Sequence, residues 1–240
     1  MQRYFADSVR GNNVFLSPKD AHHLVDVVRI ALHEQIEVVT GQTTYLCSIS
    51  HLDPLEISIG HPIEEKRELD GELLLAFAVL KGDHNDLVVE KGTELGCSHF
   101  IPFLSERTII KVAAGSEDSR ILRLKKIAES SAQQCRRLNV PKVDRYADFD
   151  QVLSLTADQK FFAYEEMAGQ SATLFAALAP VKAGSSILVV VGPEGGFTIE
   201  EAKKALEAGF TPVSLGRRIL RAETASLASL SLISAFMEAK

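Results

Sequence analysis

The run Ile187-Leu188-Val189-Val190-Val191 constrains the fold more than any other stretch of this chain. A continuous aliphatic segment of strand length, rich in β-branched residues, predicts a strand buried on both faces. That requires a parallel sheet with helices on each side. The run ends in Gly192-Pro193-Glu194-Gly195-Gly196-Phe197, and Thr198 with Glu201 forms a capping box that opens a helix. A second short run, Pro212-Val213-Ser214-Leu215, leads into Gly216-Arg217-Arg218-Ile219-Leu220-Arg221-Ala222-Glu223-Thr224-Ala225. Two strands that each end in a glycine-marked loop place a crevice at the carboxyl edge of the sheet, where open α/β folds bind ligands.

Upstream of this stretch the rhythm is the same back to residue 71. Leu73–Leu80 reads as a buried strand, followed by a helix carrying Leu87, Val88 and Leu95 that stops at Gly96. Strands at 100–104 and 160–164 follow, with a long helix at 119–138 between them and a helix at 171–178 after the second. The chain then continues through the 187–191 strand, a 198–208 helix, a strand at 213–215 and a last helix from Thr224, its N-cap. Along that helix Ala225, Ala228, Ser229, Leu232, Ala235 and Phe236 make an apolar stripe with small residues, suited to close packing on the sheet or a second subunit.

Residues 1–70 differ. Short extended pieces at 37–39, 44–49 and 55–59 alternate with turn residues, and one helix starts at Ser17-Pro18, with Leu24, Val27, Val28 and Ala31 as its buried stripe. This predicts a small, mostly antiparallel barrel. The charged run Glu64–Gly71 reads as a linker, giving domains 1–70 and 71–240. His22 and His23 are adjacent, so they fall on different helical faces and do not form a shared metal site.

The chain has 46% hydrophobic and 24% charged residues, no apolar run near the roughly 20 residues of a bilayer span, and no signal-peptide layout at its start. Cys47, Cys97 and Cys135 are far apart and lack any C-x-x-C, the usage of a reducing cytoplasm; no metal is expected. The net charge of −6 excludes a protein that coats nucleic acid non-specifically. It leaves room for a local basic surface. Residues 105–145 hold ten Lys/Arg against five Asp/Glu, with Arg120, Arg123 and Lys126 at helical spacing and Arg136-Arg137 beside Gln133-Gln134, a pattern suited to phosphate contact. Residues 1–70 hold six against eleven, a poor electrostatic footprint for RNA.

The loop at 192–197 has neither dinucleotide nor P-loop spacing and contains no lysine, and Glu194 would repel a phosphate. On spacing alone it is either a tight strand–helix turn or a cradle for a neutral ring system with a positive centre, such as S-adenosylmethionine (SAM). The second loop, with Arg217, Arg218 and Arg221 around Ile219-Leu220, is either an N-cap with exposed charges or a buried, ordered binding loop.

The pair G-P-E-G-G-F-T-x-x-E at 192–201 and L-G-x-R-I-L-R-A-E-T-A at 215–225 resembles the small-subunit (16S) rRNA uridine-N3 methyltransferases, a family of the knotted SPOUT superfamily. Arg3-Tyr4-Phe5, His22-His23-Leu24 with Arg29, Lys81-Gly82-Asp83, Thr93–Gly96, Glu106-Arg107, Ala132–Arg136 and Val140-Pro141 extend the likeness over nearly the whole chain. The resemblance implies a C-terminal SPOUT-type parallel sheet with a deep trefoil knot, plus a small N-terminal PUA-like β-barrel that binds RNA. It implies a homodimer, with 16S rRNA or the small ribosomal subunit as partner. It also implies SAM held by Tyr164, Gly192, Glu194, Gly195, Gly196, Leu215, Gly216, Ile219, Leu220 and Ala225.

Methyl transfer to uridine N3 needs a lone pair there, so the N3 proton must be removed or the deprotonated ring stabilised. Arg221 is the candidate for stabilising charge on the uracil oxygens; Glu223 either orients Arg221 or accepts the proton. Arg29, Gln133, Arg136 and Arg217 are candidates for RNA contact. Two rivals remain from other classes. A nucleotide-dependent oxidoreductase would bind NAD in place of SAM, and a non-catalytic RNA-binding protein would transfer no methyl group.

Overall fold

A computed structural model describes residues 1–109, 116–167 and 172–240. They form two compact units, Met1–Glu68 with Ala132–Asn139, and Leu69–Ser131 with Val140–Lys240.

The first unit is a sheet of short strands: β1 (Arg3–Phe5), β2 (Ser8–Arg10), β3 (Asn13–Phe15), β4 (Gln35–Thr40), β5 (Thr43–Leu52), β6 (Leu55–Ser58) and β7 (Pro62–Ile63). Their order is β1-β4-β5-β6-β3-β2 with β7 on β5, and every pair is antiparallel except β1 with β4. Tyr4, Val14, Ile36, Val38, Cys47, Ile49 and Ile57 point to one side and close on Leu24. The helix α1 (Pro18–His22) starts where expected, with the Ser17 hydroxyl accepting from Asp20 N–H at 3.1 Å. It then widens into a π-turn at His23–Val27, closed by Val28 N–H donating to the His23 carbonyl. The extra residue in that turn shifts the helical phase. The predicted stripe therefore ends at Leu24: Val27 is 63% exposed, and Ala31 lies beyond the helix.

Segment Ala132–Asn139 belongs to this unit through buried charge. Arg3 donates through Nε to Glu37 at 2.9 Å and through Nη1 to the Arg136 carbonyl at 2.7 Å, while Nη2 pairs with Glu65 at 2.7 Å. The Glu68 carboxylate meets Arg137 Nη2 at 2.6 Å and accepts the N–H groups of Leu138 and Asn139.

The second unit contains β8 (Leu73–Ala78), α2 (His84–Glu94), β9 (His99–Leu104), α3 (Ser116–Gln134, which runs on into the first unit's segment), β10 (Lys142–Val143), β11 (Ala147–Asp148) and α4 (Phe149–Leu153). It continues with β12 (Gln159–Ala163), α5 (Leu174–Leu178), β13 (Ile187–Val191), α6 (Ile199–Glu207), β14 (Thr211–Val213) and α7 (Ala222–Glu238). Residue 171, the predicted start of α5, lies outside the described residues. All strands are parallel, in the order β10-β9-β8-β13-β12-β14 with β11 on β9.

The continuous apolar runs are explained by burial on two sides. Leu73, Leu75, Phe77, Ile187, Val189 and Val191 face a layer that includes Val88 and Val89 of α2 and Leu230 and Ile233 of α7. Leu74, Ala76, Leu188, Val190 and Phe162 face Phe149 and Val152 of α4 and Ala202 and Ala205 of α6. Each fully buried aliphatic side chain here contributes roughly 1.5–3 kcal/mol. After β14, at one end of the strand order, the chain returns so that α7 packs on α2, α5, β8 and β13. The helix presents Ser226, Ser229, Leu230 and Ile233 to the interior, while Ala235 is exposed, so the buried stripe is rotated from the predicted one.

Candidate functional site

β12, β13 and β14 end side by side, and the loops that leave them enclose a cavity of about 540 Å³. This volume lies within the range of small-molecule sites. The first wall is the 192–197 loop. Phe197 pins it from below, its ring 4.4 Å from that of Phe162 and 5.5 Å from that of Phe149. Gly192 lies directly on this ring: a Cβ there would sit 2.6 Å from it. Gly196 has φ +69°, the left-handed region that favours glycine, and a Cβ there would displace the Glu165 carboxylate. The capping box fixes the loop's far end, with Thr198 and Glu201 exchanging side-chain-to-backbone bonds at 3.1 and 2.9 Å.

The second wall is the loop after β14. The Ser214 hydroxyl donates to the Gly216 carbonyl and accepts from the Gly216 N–H, folding the loop back at a residue with φ +125°. Helix α7 begins at Ala222 with Arg221 as N-cap, earlier than predicted. Thr224 is exposed inside the first turn, because Ala225 N–H already donates to the Arg221 carbonyl at 2.7 Å. Ile219 is 79% exposed, which corrects the expectation that it is buried, whereas Leu220 packs against the core; the loop is ordered by Ser214 and Gly216, and Ile219 stands at the cavity mouth.

The cavity gathers Tyr164 with Gly192, Glu194, Gly195 and Gly196 from one side. Leu215, Gly216, Ile219, Leu220 and Ala225 line the other, and Arg221 and Glu223 open onto the same space. Three further residues line it: Arg218 of the second-loop motif, Glu165 beside Tyr164 at the end of β12, and His84 at the start of α2, which carries no sequence signal of its own. His84 Nδ1 stands 3.7 Å from the Glu223 carboxylate, and Glu194 accepts from Lys81 N–H at 3.3 Å. Burial pushes the Tyr164 phenol up, Glu166 and Glu165 add to this, and Arg107 opposes it, so Tyr164 stays a hydroxyl donor at neutral pH. The lining thus combines apolar side chains, exposed loop backbone, three carboxylates and a few cationic groups, with no lysine among the described lining residues.

The RNA-contact candidates are dispersed. Arg29 is exposed at φ 57° after the π-turn, and Arg217 is exposed beside the second loop. Gln133 donates to Asp20 at 3.4 Å, and Arg136 reaches Glu37 at 3.5 Å with its side chain still 44% exposed. Much of the basic stretch is neutralised locally. Arg123 pairs with Asp86, Lys142 with Asp144 at 2.8 Å, and Arg145 with Asp118 and Glu117. Lys111 lies outside the described residues.

Among the described residues no helix is long and apolar enough to cross a membrane, and no group of three His, Cys, Asp or Glu is placed to hold a metal ion. The model of the RNA methyltransferase domain family matches residues 67–234. The chain is 33% identical, over 98% of its length and 96% of the relative's, to ribosomal RNA small subunit methyltransferase E of Bacillus subtilis. It is 30% identical, over 94% of its length and 74% of the relative's, to the protein of the same name from Synechocystis. Among solved structures, a putative methyltransferase from Legionella pneumophila in complex with SAM superposes with a TM-score of 0.87 at 27% identity, covering 97% of this chain and 96% of that one. Ribosomal RNA small subunit methyltransferase E from Neisseria gonorrhoeae, bound to SAM, gives 0.85 at 27% identity, covering 98% and 97%. The fold is therefore SPOUT-type with an N-terminal barrel-like unit, and the chain belongs to the RNA methyltransferase family.

Proposed function

We propose that the chain transfers a methyl group from SAM to N3 of a uridine in small-subunit (16S) ribosomal RNA. The observation that carries this reading is the convergence of two glycine loops on one cavity whose rim holds both Arg221 and Glu223. The lining fits the cofactor. Leu215, Leu220, Val191 and Ala225 offer apolar contact for a purine, the glycine loops expose backbone to it, and Glu165, Glu194 and Glu223 complement a sulfonium and an ammonium. Phosphates would meet those carboxylates, which speaks against a dinucleotide.

Bound SAM supplies an electrophilic methyl group on sulfur. The protein's part is alignment and charge. Arg221 stabilises the negative charge that spreads onto the uracil oxygens as the N3–H bond is broken. Glu223, 3.7 Å from His84, takes that proton, and the target base is splayed from its neighbours to reach the cavity. Residues 1–70 act as an RNA-binding domain attached to the 71–240 catalytic domain, with Arg29, Gln133, Arg136 and Arg217 contacting phosphates or bases. The exposed Ile219 beside the cavity supports a homodimer in which a second subunit covers this edge. The workplace of such an enzyme is the cytoplasm.

Gly196→Ala should weaken SAM binding by roughly ten- to a hundredfold, the equivalent of about 1–3 kcal/mol of backbone strain. Equilibrium dialysis against labelled SAM measures it, and unchanged affinity would remove the loop from the site. The function itself is tested by incubating small ribosomal subunits that lack the modification with labelled SAM, followed by nucleoside analysis. Label in 3-methyluridine is expected. Label in another nucleoside, or none with SAM bound, refutes the substrate assignment.

A further inference from the structure

We propose that Arg107 and Glu106, on the turn after β9, are positioning residues that hold the 193–198 loop in its cofactor-binding shape; this rests on the SAM reading of that loop. Arg107 Nη1 donates to the Gly195 carbonyl at 3.1 Å and to the Phe197 carbonyl at 3.2 Å. These two carbonyls flank Gly196, the residue with positive φ. The opposite ends of the same two peptide groups are also fixed. Gly196 N–H donates to the Pro193 carbonyl at 2.9 Å, and Thr198 N–H donates to Glu201 at 2.9 Å. Both peptide planes are therefore held from each side, and one guanidinium supplies both holds on the carbonyl side.

Glu106 completes the clamp. Its N–H donates to Glu201 Oε1 at 2.9 Å, so the capping carboxylate bridges the turn after β9 and the start of α6. Its own carboxylate accepts from the Thr198 hydroxyl at 3.3 Å. Charge-assisted bonds to backbone carbonyls are among the stronger ones in proteins, and they act here on a glycine-rich loop that has most conformational freedom to lose. Preorganising it lowers the ordering cost of binding.

Arg107→Ala is expected to raise the Kd and KM for SAM about tenfold while kcat at saturating SAM stays within about twofold. Arg107→Lys, which also offers one cationic nitrogen but on a shorter and more strongly hydrated head group, recovers part of the affinity. The measurements are calorimetric SAM titration and steady-state methyl transfer on the full chain, with melting temperature as a control. Unchanged SAM affinity in Arg107→Ala overturns the proposal, as does a fall in kcat with KM unaltered. If Arg107→Ala fails to fold, the Arg107→Lys and Arg107→Gln affinities decide in the same way. A wild-type chain that binds no SAM would fail the cofactor reading itself, which separates the two ideas.

Discussion

Arg221→Ala is expected to reduce methyl transfer by about 10²–10³-fold, the usual effect of removing one preorganised group that stabilises developing charge. SAM affinity should change by less than about threefold, because the role assigned to Arg221 lies in the transition state and not in ground-state binding. The substitution is also clean structurally. Arg221 is the N-cap of α7, yet its side chain makes no capping bond; the cap interaction is the backbone bond to Ala225, which alanine keeps. Stability should therefore hold, and kcat, KM and Kd for SAM can be read without a folding correction. Arg221→Lys should recover only part of the rate, since an ammonium cannot present two donors in one plane. A fully active Arg221→Ala enzyme would sink the assignment.

The second large effect concerns stability. The Arg3 side chain is 1% exposed and sits between Glu37 and Glu65, each 9% exposed. Arg3→Met would leave the buried Glu37 and Glu65 carboxylates with only the half-exposed Arg136 and Arg67 as cationic partners, a loss of roughly 3 kcal/mol at neutral pH. Burial raises the Glu65 carboxyl, but hydrogen bonds from Thr44, Arg67 and Arg3 outweigh it and hold the group below its usual range. A depressed folded-state pKa contributes stability above the unfolded value, near 4, which is lost as pH falls through the folded value. In Arg3→Met the Glu65 depression is reduced, because one of the bonds that favour its charged form is gone. The deficit relative to wild type should thus be fully present at pH 7 and shrink as pH falls below about 4. Amide exchange of β1 and β4 reports it, and a loss below about 1 kcal/mol would show that the cluster is not structural.

The second unit was legible because burial on both faces leaves a one-dimensional mark. Leu73–Ala78 and Ile187–Val191 are uninterrupted apolar runs, and the Thr198–Glu201 box marks the start of α6 to the residue. The two loops announced the cavity through glycines whose need is local: close approach at Gly192 and positive φ at Gly196. What sequence reasoning missed was either a change of phase or a contact across the chain. The π-turn after His22 inserts a residue into a helical period and turns Val27 outward. The start of α7 was misplaced because Thr224 is a good capping residue by type, whereas the extended backbone that defines the cap falls at Arg221. Arg107 lies 88 residues from Gly195 in sequence, and no local pattern could announce that bond. The basic stretch looked like a nucleic-acid surface in one dimension, while in three dimensions acids such as Asp86 and Asp118 answer much of it.

The most direct test of the central claim is a calorimetric titration of the purified chain with SAM, repeated with NAD and with S-adenosylhomocysteine as competitor. SAM should bind one site per chain, be displaced by S-adenosylhomocysteine, and be unaffected by NAD. No heat with SAM, or displacement of SAM by NAD, would contradict the assignment of the cavity between the two glycine loops.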